Sequence, residues 1–316
     1  MSTERSGGRS LFAEIAKRVN NWGRWGDGDE LGTLNLIDDA ARRRAAAAVR
    51  RGVAISLSLP LSAEEGIQLG FIPGRVNPIR TMTSVNSPLS DDPEWICSSE
   101  DKVELSMQCA THWDAISHVS YNGRMYNGYP ASDVTESGAS RCGVQVAKTL
   151  ISRGVLLDVA RAKNLDYLEG GYPLTPDDLH AAIDLAGVRL EPGDVVLIRT
   201  GQMRWLKGPG RDLVKYSFPA PGLTMACAEW FHQRDVAAVA TDTLALEVYP
   251  SEYDDAFLPV HLLHLVEMGM TQGQNWDLDE LAADCAGDGV YEFLLDASPL
   301  PFTRALGSPV NPVALK

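Results

Sequence analysis

The sequence contains few cysteines, and their positions rule out two common roles. The five are Cys97, Cys109, Cys142, Cys227 and Cys285, and no two of them form a C-x-x-C motif. An odd and widely scattered set excludes both a disulfide framework and a thiolate zinc site. We therefore expect a protein of the reducing cytoplasm.

Long apolar runs and an excess of positive charge are also missing. The longest apolar runs, such as VVLI, are too short to span a bilayer, and the N-terminus has no apolar signal core. Lys and Arg number 28 against 42 Asp and Glu, which gives a net charge of −14. Nucleic acids and anionic membranes both attract concentrated cationic residues, so we expect neither as a partner.

The remaining composition is that of a globular protein with alternating strand and helix patterns. Hydrophobic residues make up 45% of the chain, which is enough for a core. Strands are predicted at 53–61, 154–160, 194–201 and 236–243, and helices at 9–21, 38–52, 175–187 and 225–235. We predict a disordered tail at residues 1–8, followed by a single α/β domain with a mixed β-sheet at 9–316.

The segment 62–100 shows no clear element. It carries four prolines and mixed polar residues, which is typical of a binding loop, a lid or an excursion from the fold. The next stretch, 102–114, alternates strictly between apolar and polar residues. We predict that it forms one continuous strand.

This strand leads into CATHWDAISH, which holds two of only 6 histidines in the chain. On a continuous strand, Gln108, His112 and Asp114 share one face, and His118 follows as a further ligand or as a free base. Imidazole nitrogens and carboxylate oxygens are good ligands for zinc, manganese or iron. The stretch is therefore a candidate metal site.

A closed metal site needs ligands from more than one segment, and a second cluster lies at 258–281. His261 and His264 are three residues apart on a predicted helix, so they point roughly the same way. The oxygen donors nearby are Glu267, Gln272, Gln274 and Asp277. We predict that the two stretches meet at one ion, whereas His180 and His232 are expected to be structural.

These residues carry a family resemblance. THWDAISH is similar to the H-x-G-T-H-x-D-x-P-x-H signature of the cyclase family, which includes bacterial kynurenine formamidases and isatin hydrolases. The stretches 21–37, VVLIRTG, VAAVATDT and 258–282 resemble other parts of that family. The resemblance implies a metal-dependent hydrolase with a swivelling β/β/α fold that forms oligomers.

By position, the resemblance places metal ligands at His112, Asp114 and His261 and the catalytic histidine at His118. Two ligand positions depart from the family pattern, because Gln108 replaces a histidine and Gln274 replaces a glutamate. The signature's glycine and proline are Ala110 and Ile116. Amide oxygens bind metal more weakly, so we expect one firmly held Mn²⁺ or Zn²⁺ and leave a second ion open.

The expected reaction is metal-assisted hydrolysis of a small cyclic amide, lactone or aryl formamide, with His118 as the general base. Trp22, Trp25 and Trp113 could wall a site for a flat substrate, or instead fill the core or a subunit interface. A substrate carboxylate could bind one of three arginines, which the sequence does not distinguish: Arg75, Arg80 and Arg199.

Two other functions and an assembly state remain as predictions. The same metal site could serve a cyclase or dehydratase, or the site could be decayed in a metal-free binding protein. The proline-rich, partly apolar tail at 298–316 favours a surface position. We expect a homo-oligomer, a dimer or a tetramer.

Overall fold

A nine-stranded mixed β-sheet organises the structure, a computed structural model that describes residues 5–316. The strands of the protein are β1 Ala54–Ser56, β2 Ile79–Pro88, β3 Cys97–Glu104, β4 His112–Asp114, β5 Val134–Thr135, β6 Gly138–Ala139, β7 Ile151–Asp158, β8 Pro173–Leu174, β9 Val195–Arg199, β10 Gly222–Leu223, β11 Ala238–Thr241, β12 Gln272–Gln274, β13 Glu292–Asp296, β14 Gly307–Pro309 and β15 Val313–Leu315. The strand order of the large sheet is β1-β15-β13-β7-β9-β11-β12-β4-β14. The predicted α/β class with one mixed sheet is confirmed.

Helices cover the sheet and connect its strands. They are α1 Gly8–Val19, α2 Asp39–Ala47, α3 Val159–Ala162, α4 Pro176–Ala186, α5 Leu213–Ser217, α6 Ala226–His232, α7 Pro259–His261 and α8 Asp279–Asp288. The chain continues from α7 into a π-helix at Leu262–Met268. No helix within residues 5–316 combines the length and the apolar character needed to cross a membrane.

The strands at the centre of the sheet, β7, β9 and β11, contain apolar runs because both faces of the sheet are covered. β7, β9, β11 and β12 run parallel, which is the arrangement that buries both faces. Successive side chains of β7 enter opposite layers of the core: Val155 and Leu157 lie in one apolar cluster, and Leu156 lies in the other. At the far side of the sheet, β4 pairs antiparallel with both β12 and β14.

The helix starts follow the capping signals in the sequence. The Asp38 carboxylate accepts a hydrogen bond from Ala41 N at 2.8 Å, and the Asp178 carboxylate accepts one from Thr175 N at 2.9 Å. The helix predicted at 38–52 ends early, at Ala47, and the strand predicted at 53–61 is limited to β1.

The tail predicted at 1–8 is only partly covered by the structure. Residues 1–4 lie outside the described residues. From residue 5 onward the backbone is attached to the segment before α7, because Arg5 N donates to Asp254 and Gly8 N donates to Asp255, both at 2.9 Å. Helix α1 starts at Gly8.

The prediction of one continuous strand at 102–114 was wrong, and the segment 62–100 contains an element that the sequence pattern does not show. The region 62–100 contains most of an antiparallel hairpin, β2–β3, whose residues are exposed on both faces and therefore show no apolar alternation. The strand predicted at 102–114 is interrupted, because β3 ends at Glu104 and the chain turns before β4 begins. Cys109 N donates to Ser106 O at 3.0 Å within that turn. The side-chain directions assumed for Gln108 rested on an unbroken strand.

Candidate active site

Strand β4 holds the predicted cluster at the position where it pairs with β12. His112 lies opposite Gln274, and Asp114 lies opposite Gln272. The side chains of His112 and Asp114 are almost fully buried. Because alternate strand residues face opposite ways, the residue between them, Trp113, points into the core.

A cleft opens over this end of the sheet and brings the two predicted clusters together. It encloses about 1280 Å³ including its open mouth. Four of the predicted chemical groups lie in its wall: His112, Asp114, His118 and His261. The amide of Gln274 lines it as well, so residues about 150 positions apart meet in one site.

Asp114 is the electrostatic centre of the cleft. Burial alone raises its pKa, but the neighbouring imidazoles of His118, His112 and His261 outweigh burial and hold the pKa of this carboxyl well below its usual range. Its Oδ2 accepts a hydrogen bond from Gln274 Nε2 at 2.9 Å. Its Oδ1 is buried and has no hydrogen-bond partner within residues 5–316. A buried, ionised oxygen in this state requires a cation or a donor.

Two imidazoles approach that oxygen. His112 Nε2 lies 3.5 Å from Asp114 Oδ1, and His118 Nε2 lies 3.8 Å from it. His112 Nδ1 contacts Ala110 O at 2.7 Å. A carbonyl can only accept, so Nδ1 carries the proton and Nε2 keeps a lone pair toward the cleft.

His118 is suited to accept a proton. The charge of Asp114 raises the pKa of His118. Burial and the nearby positive charges lower this pKa by more, so the net shift is downward; those charges are on His261, His112 and Arg75. Its Nδ1 has no hydrogen-bond partner in the described part of the chain. The imidazole is therefore neutral near pH 7 and free to act as a base.

His261 is oriented by an acid that the sequence analysis missed. Glu247 is 1% exposed, and its carboxylate contacts His261 Nδ1 and accepts from the backbone N of His261 at 2.9 Å and of Val260 at 3.1 Å. It therefore both caps the start of α7 and fixes the imidazole. The available signal was a lone acid in the apolar run LALEVY.

The two amides predicted as ligands have different surroundings. Gln274 lies in the cleft wall, and its Oε1 is buried without a partner in residues 5–316. Gln108 is not among the residues that line the cleft, and its Nε2 donates to Leu306 O at 3.3 Å. The turn after β3 directs the side chain of Gln108 toward the residue that precedes β14.

The donor set fits a divalent cation in part. Two ligands bound at about 2.1 Å in tetrahedral geometry lie about 3.4 Å apart, and His112 Nε2 and Asp114 Oδ1 are 3.5 Å apart. However, no three His, Cys, Asp or Glu side chains of residues 5–316 are arranged to hold a metal ion. A third ligand would therefore be the amide oxygen of Gln274, or His261 after its side chain moves toward the ion.

The predicted tryptophans do not wall this cleft. Trp113 is 1% exposed, packs on Trp276 with ring centroids 4.8 Å apart, and donates to Ala297 O. Trp22 donates from Nε1 to Val266 O, and Trp25 stacks under Arg24. The cleft is instead lined by aromatic residues from loops, which no local pattern identified: Phe71, Phe218, Tyr249 and Phe257.

The structure also distinguishes the three candidate arginines. Arg80 is exposed and faces Asp101, and Arg199 is paired with Asp158 and Asp279. Arg75 lies in the cleft wall, and its guanidinium forms no ion pair with residues 5–316. Burial lowers the pKa of Arg75, and the charge of Asp114 opposes this shift.

Comparisons with known proteins find a matching family model and similar solved structures. Residues 55–248 match the family model described as "Putative cyclase". A crystal structure described as a novel cyclase is similar to this chain with 36% identity and a TM-score of 0.85, covering 95% of this chain and 99% of the other. No curated protein matches the chain.

More distant structures share the fold. Isatin hydrolase A from Labrenzia aggregata, bound to benzyl benzoate, has 20% identity and a TM-score of 0.59, covering 85% of this chain and 94% of that one. A potential metal-dependent hydrolase with cyclase activity has 15% identity and a TM-score of 0.53, covering 83% and 96%. At these identities the likeness concerns the fold alone.

Proposed function

Because the chain belongs to the cyclase family, as the THWDAISH resemblance predicted, we propose that it is a metal-dependent hydrolase. Its substrate is a small cyclic amide, lactone or aryl formamide, in which water cleaves a C–N or C–O bond. The observation that carries the proposal is the approach of two imidazoles to one buried, unpartnered oxygen of ionised Asp114.

The residues that would hold the cation are His112 and Asp114, with His261 or Gln274 as the third. A divalent cation at such a site polarises a substrate carbonyl and lowers the pKa of water, and Mn²⁺ and Zn²⁺ both suit these nitrogen and oxygen donors. Glu247 holds His261 in place through Nδ1, so that Nε2 remains available.

His118 moves the proton. Its neutral imidazole accepts a proton from the attacking water as the water oxygen bonds to the carbonyl carbon. The same proton then passes to the leaving nitrogen or oxygen as the C–N or C–O bond breaks. The proton is returned within one cycle, so hydrolysis needs no other reactant than water.

The cleft wall favours a flat substrate with a negative charge. The rings of Phe218 and Tyr249 lie 4.6 Å apart, and Phe71 lies 5.7 Å from Phe218. Such rings bind a planar, apolar body. Arg75 adds one unpaired guanidinium to this wall, which is suited to a carboxylate on the substrate.

Two variants test the assignment of roles. His118→Ala should lower kcat by about 10²–10⁴-fold and leave the bound metal in place. His112→Ala should release the metal, as measured by elemental analysis of the purified chain. His180→Ala is the matched control, since His180 contacts Trp230 and Arg234 and does not line the cleft.

The outcomes separate the alternatives. Equal loss of metal from both variants would make His118 a ligand instead of a base. A wild-type chain that carries almost no metal, and that added Mn²⁺ or Zn²⁺ does not activate, would support the metal-free binding protein. Turnover of an open-chain substrate toward ring closure or water loss would support the cyclase or dehydratase.

A further inference from the structure

A second groove lies beside the cleft and shares one side chain with it, because Phe257 lines both. This groove lies between α1, residues 121–122 and the segment 255–267, and we call it the α1 groove. It encloses about 1620 Å³ including its open mouth. The catalytic cluster around Asp114 does not line it, so the two sites have separate chemistry.

Glu267 places a carboxylate in the wall of the α1 groove. The sequence counted Glu267 among the oxygen donors of the second cluster, but the structure sets it outside the cleft. The residue is only 5% exposed, and glutamate is seldom buried so deeply without a cation. Within residues 5–316 its carboxylate has two neutral partners, the Tyr121 hydroxyl and the Asn20 amide. The described part of the chain therefore leaves this negative charge uncompensated.

Both partners donate to Glu267. Asn20 Oδ1 accepts from Trp22 N at 3.0 Å, so Asn20 Nδ2 is the atom that faces the carboxylate. Burial raises the pKa of Tyr121, and contact with Glu267 raises it further, so the hydroxyl keeps its proton. Each carboxylate oxygen can accept about two hydrogen bonds and receives one from these partners. One acceptor position on each oxygen therefore remains for a ligand.

The cationic side chains of the α1 groove do not neutralise Glu267. Arg9 Nε donates to Asp255 O at 2.8 Å, and the Asp255 carboxylate accepts from Gly8 N at 2.9 Å at the start of α1. Lys17 is exposed on α1 and is not a partner of the Glu267 carboxylate. Glu267 is therefore the buried charged group of the groove that has acceptor positions to offer.

Three aromatic rings lie in the same wall: Phe12, Tyr121 and Phe257. The rings of Phe12 and Tyr121 pack edge to face, with centroids 5.3 Å apart, and Phe257 is 72% exposed. Aromatic faces attract organic cations and also bind apolar groups. A buried carboxylate beside aromatic rings is thus complementary to a ligand with a positive charge and an apolar part.

We propose that the α1 groove binds a small organic ammonium ion, whose nitrogen contacts Glu267 and whose apolar part packs on the three rings. An ammonium group carries three N–H donors and a positive charge, which match the free acceptor positions of a carboxylate. A metal ion fits less well, because Asn20 presents an N–H group and not an oxygen. Glu267 repels a carboxylate or a phosphate. The proposal does not depend on the reaction in the cleft.

The test is isothermal titration calorimetry of the full-length protein with benzylammonium chloride, a primary ammonium on a flat ring. We expect a dissociation constant of about 1 mM or below, which a ligand of this size can reach. Benzyl alcohol has nearly the same shape without the charge, and its dissociation constant should be at least about 10-fold higher. Equal binding of the two probes would make the groove an apolar pocket and overturn the proposal.

Two variants separate the carboxylate from the overall charge of the protein. Glu267→Gln keeps the size of the side chain and removes its charge, so it should raise the dissociation constant of benzylammonium by about 10–100-fold. Glu280→Gln is the matched control, because Glu280 is exposed on α8 and its replacement changes the net charge of −14 by the same amount. It should leave the dissociation constant unchanged. Equal effects of the two substitutions would assign binding to the acidic surface and contradict the proposal.

Potassium ions test whether an inorganic cation takes the same place. Benzylammonium should keep its affinity when potassium replaces sodium at constant ionic strength. Displacement by potassium overturns the proposal, and so does the absence of binding to the wild type at millimolar benzylammonium. Circular dichroism melting checks the fold of each variant. The comparison with benzyl alcohol uses the wild type, so it stays decisive if Glu267→Gln fails to fold.

Discussion

Arg75 carries the strongest prediction at the level of single residues. It lies in the cleft with no ion pair inside residues 5–316, and the ionised Asp114 lies near enough to act on its charge. Hydrogen bonds between charged groups contribute about 1.5–3 kcal/mol. Arg75→Gln should therefore lower kcat/KM for a carboxylate-bearing substrate by about 10–100-fold.

The measurement is steady-state kinetics on a matched pair of substrates, a carboxylate and its neutral methyl ester. Arg75→Gln should affect the carboxylate and leave the ester nearly unchanged. Arg80→Gln is the control, because Arg80 is exposed on the hairpin formed by β2 and β3. If kcat/KM falls equally for both substrates, Arg75 acts on the cluster around Asp114 and not on the substrate.

At this scale, the sequence identified residues with rare chemistry better than residues with common chemistry. His112, Asp114, His118 and His261 were predicted, and all four line one cleft. Histidine is scarce in this chain, so its clustering carries information. Aromatic and acidic residues are common, and their roles depend on loops brought together only by folding, as for Phe218 and Glu247.

Among the elements, the pairing of β4 with β12 fixes the geometry of the site, and Gly273 controls how closely they approach. A Cβ at this position would lie 2.6 Å from Trp276 Nε1, 2.9 Å from Ala240 Cβ and 3.0 Å from a ring carbon of Trp113. Gly273→Ala should therefore destabilise the protein by about 1–3 kcal/mol and displace Gln274 from Asp114.

Urea unfolding measures this change, and Gly287→Ala supplies the control. Gly287 lies in α8, and an added Cβ there would meet no atom within 4 Å. That substitution should stabilise the protein by about 0.5–1 kcal/mol, because alanine favours a helix. A Gly273→Ala protein as stable as the wild type would show that the two tryptophans can move aside.

The central elements were predictable and the edge elements were not, for one physical reason. β7, β9 and β11 are buried on both faces, so their apolar runs stand out. The β2–β3 hairpin is exposed on both faces. Strand β4 has only three residues, and its partner strands come from distant segments. The alternation of apolar and polar residues within one segment does not show which distant strands it pairs with. For that reason the alternation at 102–114 predicts a single strand where the structure has two strands and a turn.

For the molecule as a whole, the alternation of strands and helices was enough to give the α/β class, because it reflects burial of a single sheet between two layers. The position of the cleft follows from topology. β4 and β12 are neighbours in the sheet, although 157 positions separate the backbone oxygen of Asp114 from the Thr271 hydroxyl that donates to it. Sequence spacing alone does not contain that pairing.

Because β4 and β12 bring distant residues together, metal binding at the site is linked to the free energy of unfolding. A cation that contacts His112, Asp114 and a residue of the second cluster binds the folded chain, whereas the unfolded chain separates these ligands. Saturation at 100 times the dissociation constant then adds about 2.7 kcal/mol. With an unfolding entropy of about 2.1 cal/mol/K per residue, this corresponds to a rise of about 4 °C in Tm for the 316 residues of the chain.

Scanning calorimetry of the chelator-treated protein, with and without Mn²⁺ or Zn²⁺, checks this prediction. His180→Ala should keep the rise in Tm, since His180 lies outside the cleft, and His112→Ala should lose it. The net charge of −14 means that cations can also gather on the acidic surface. If the metal still raises the Tm of His112→Ala, the stabilisation comes from cations on the acidic surface. The two clusters would then not bind one shared ion.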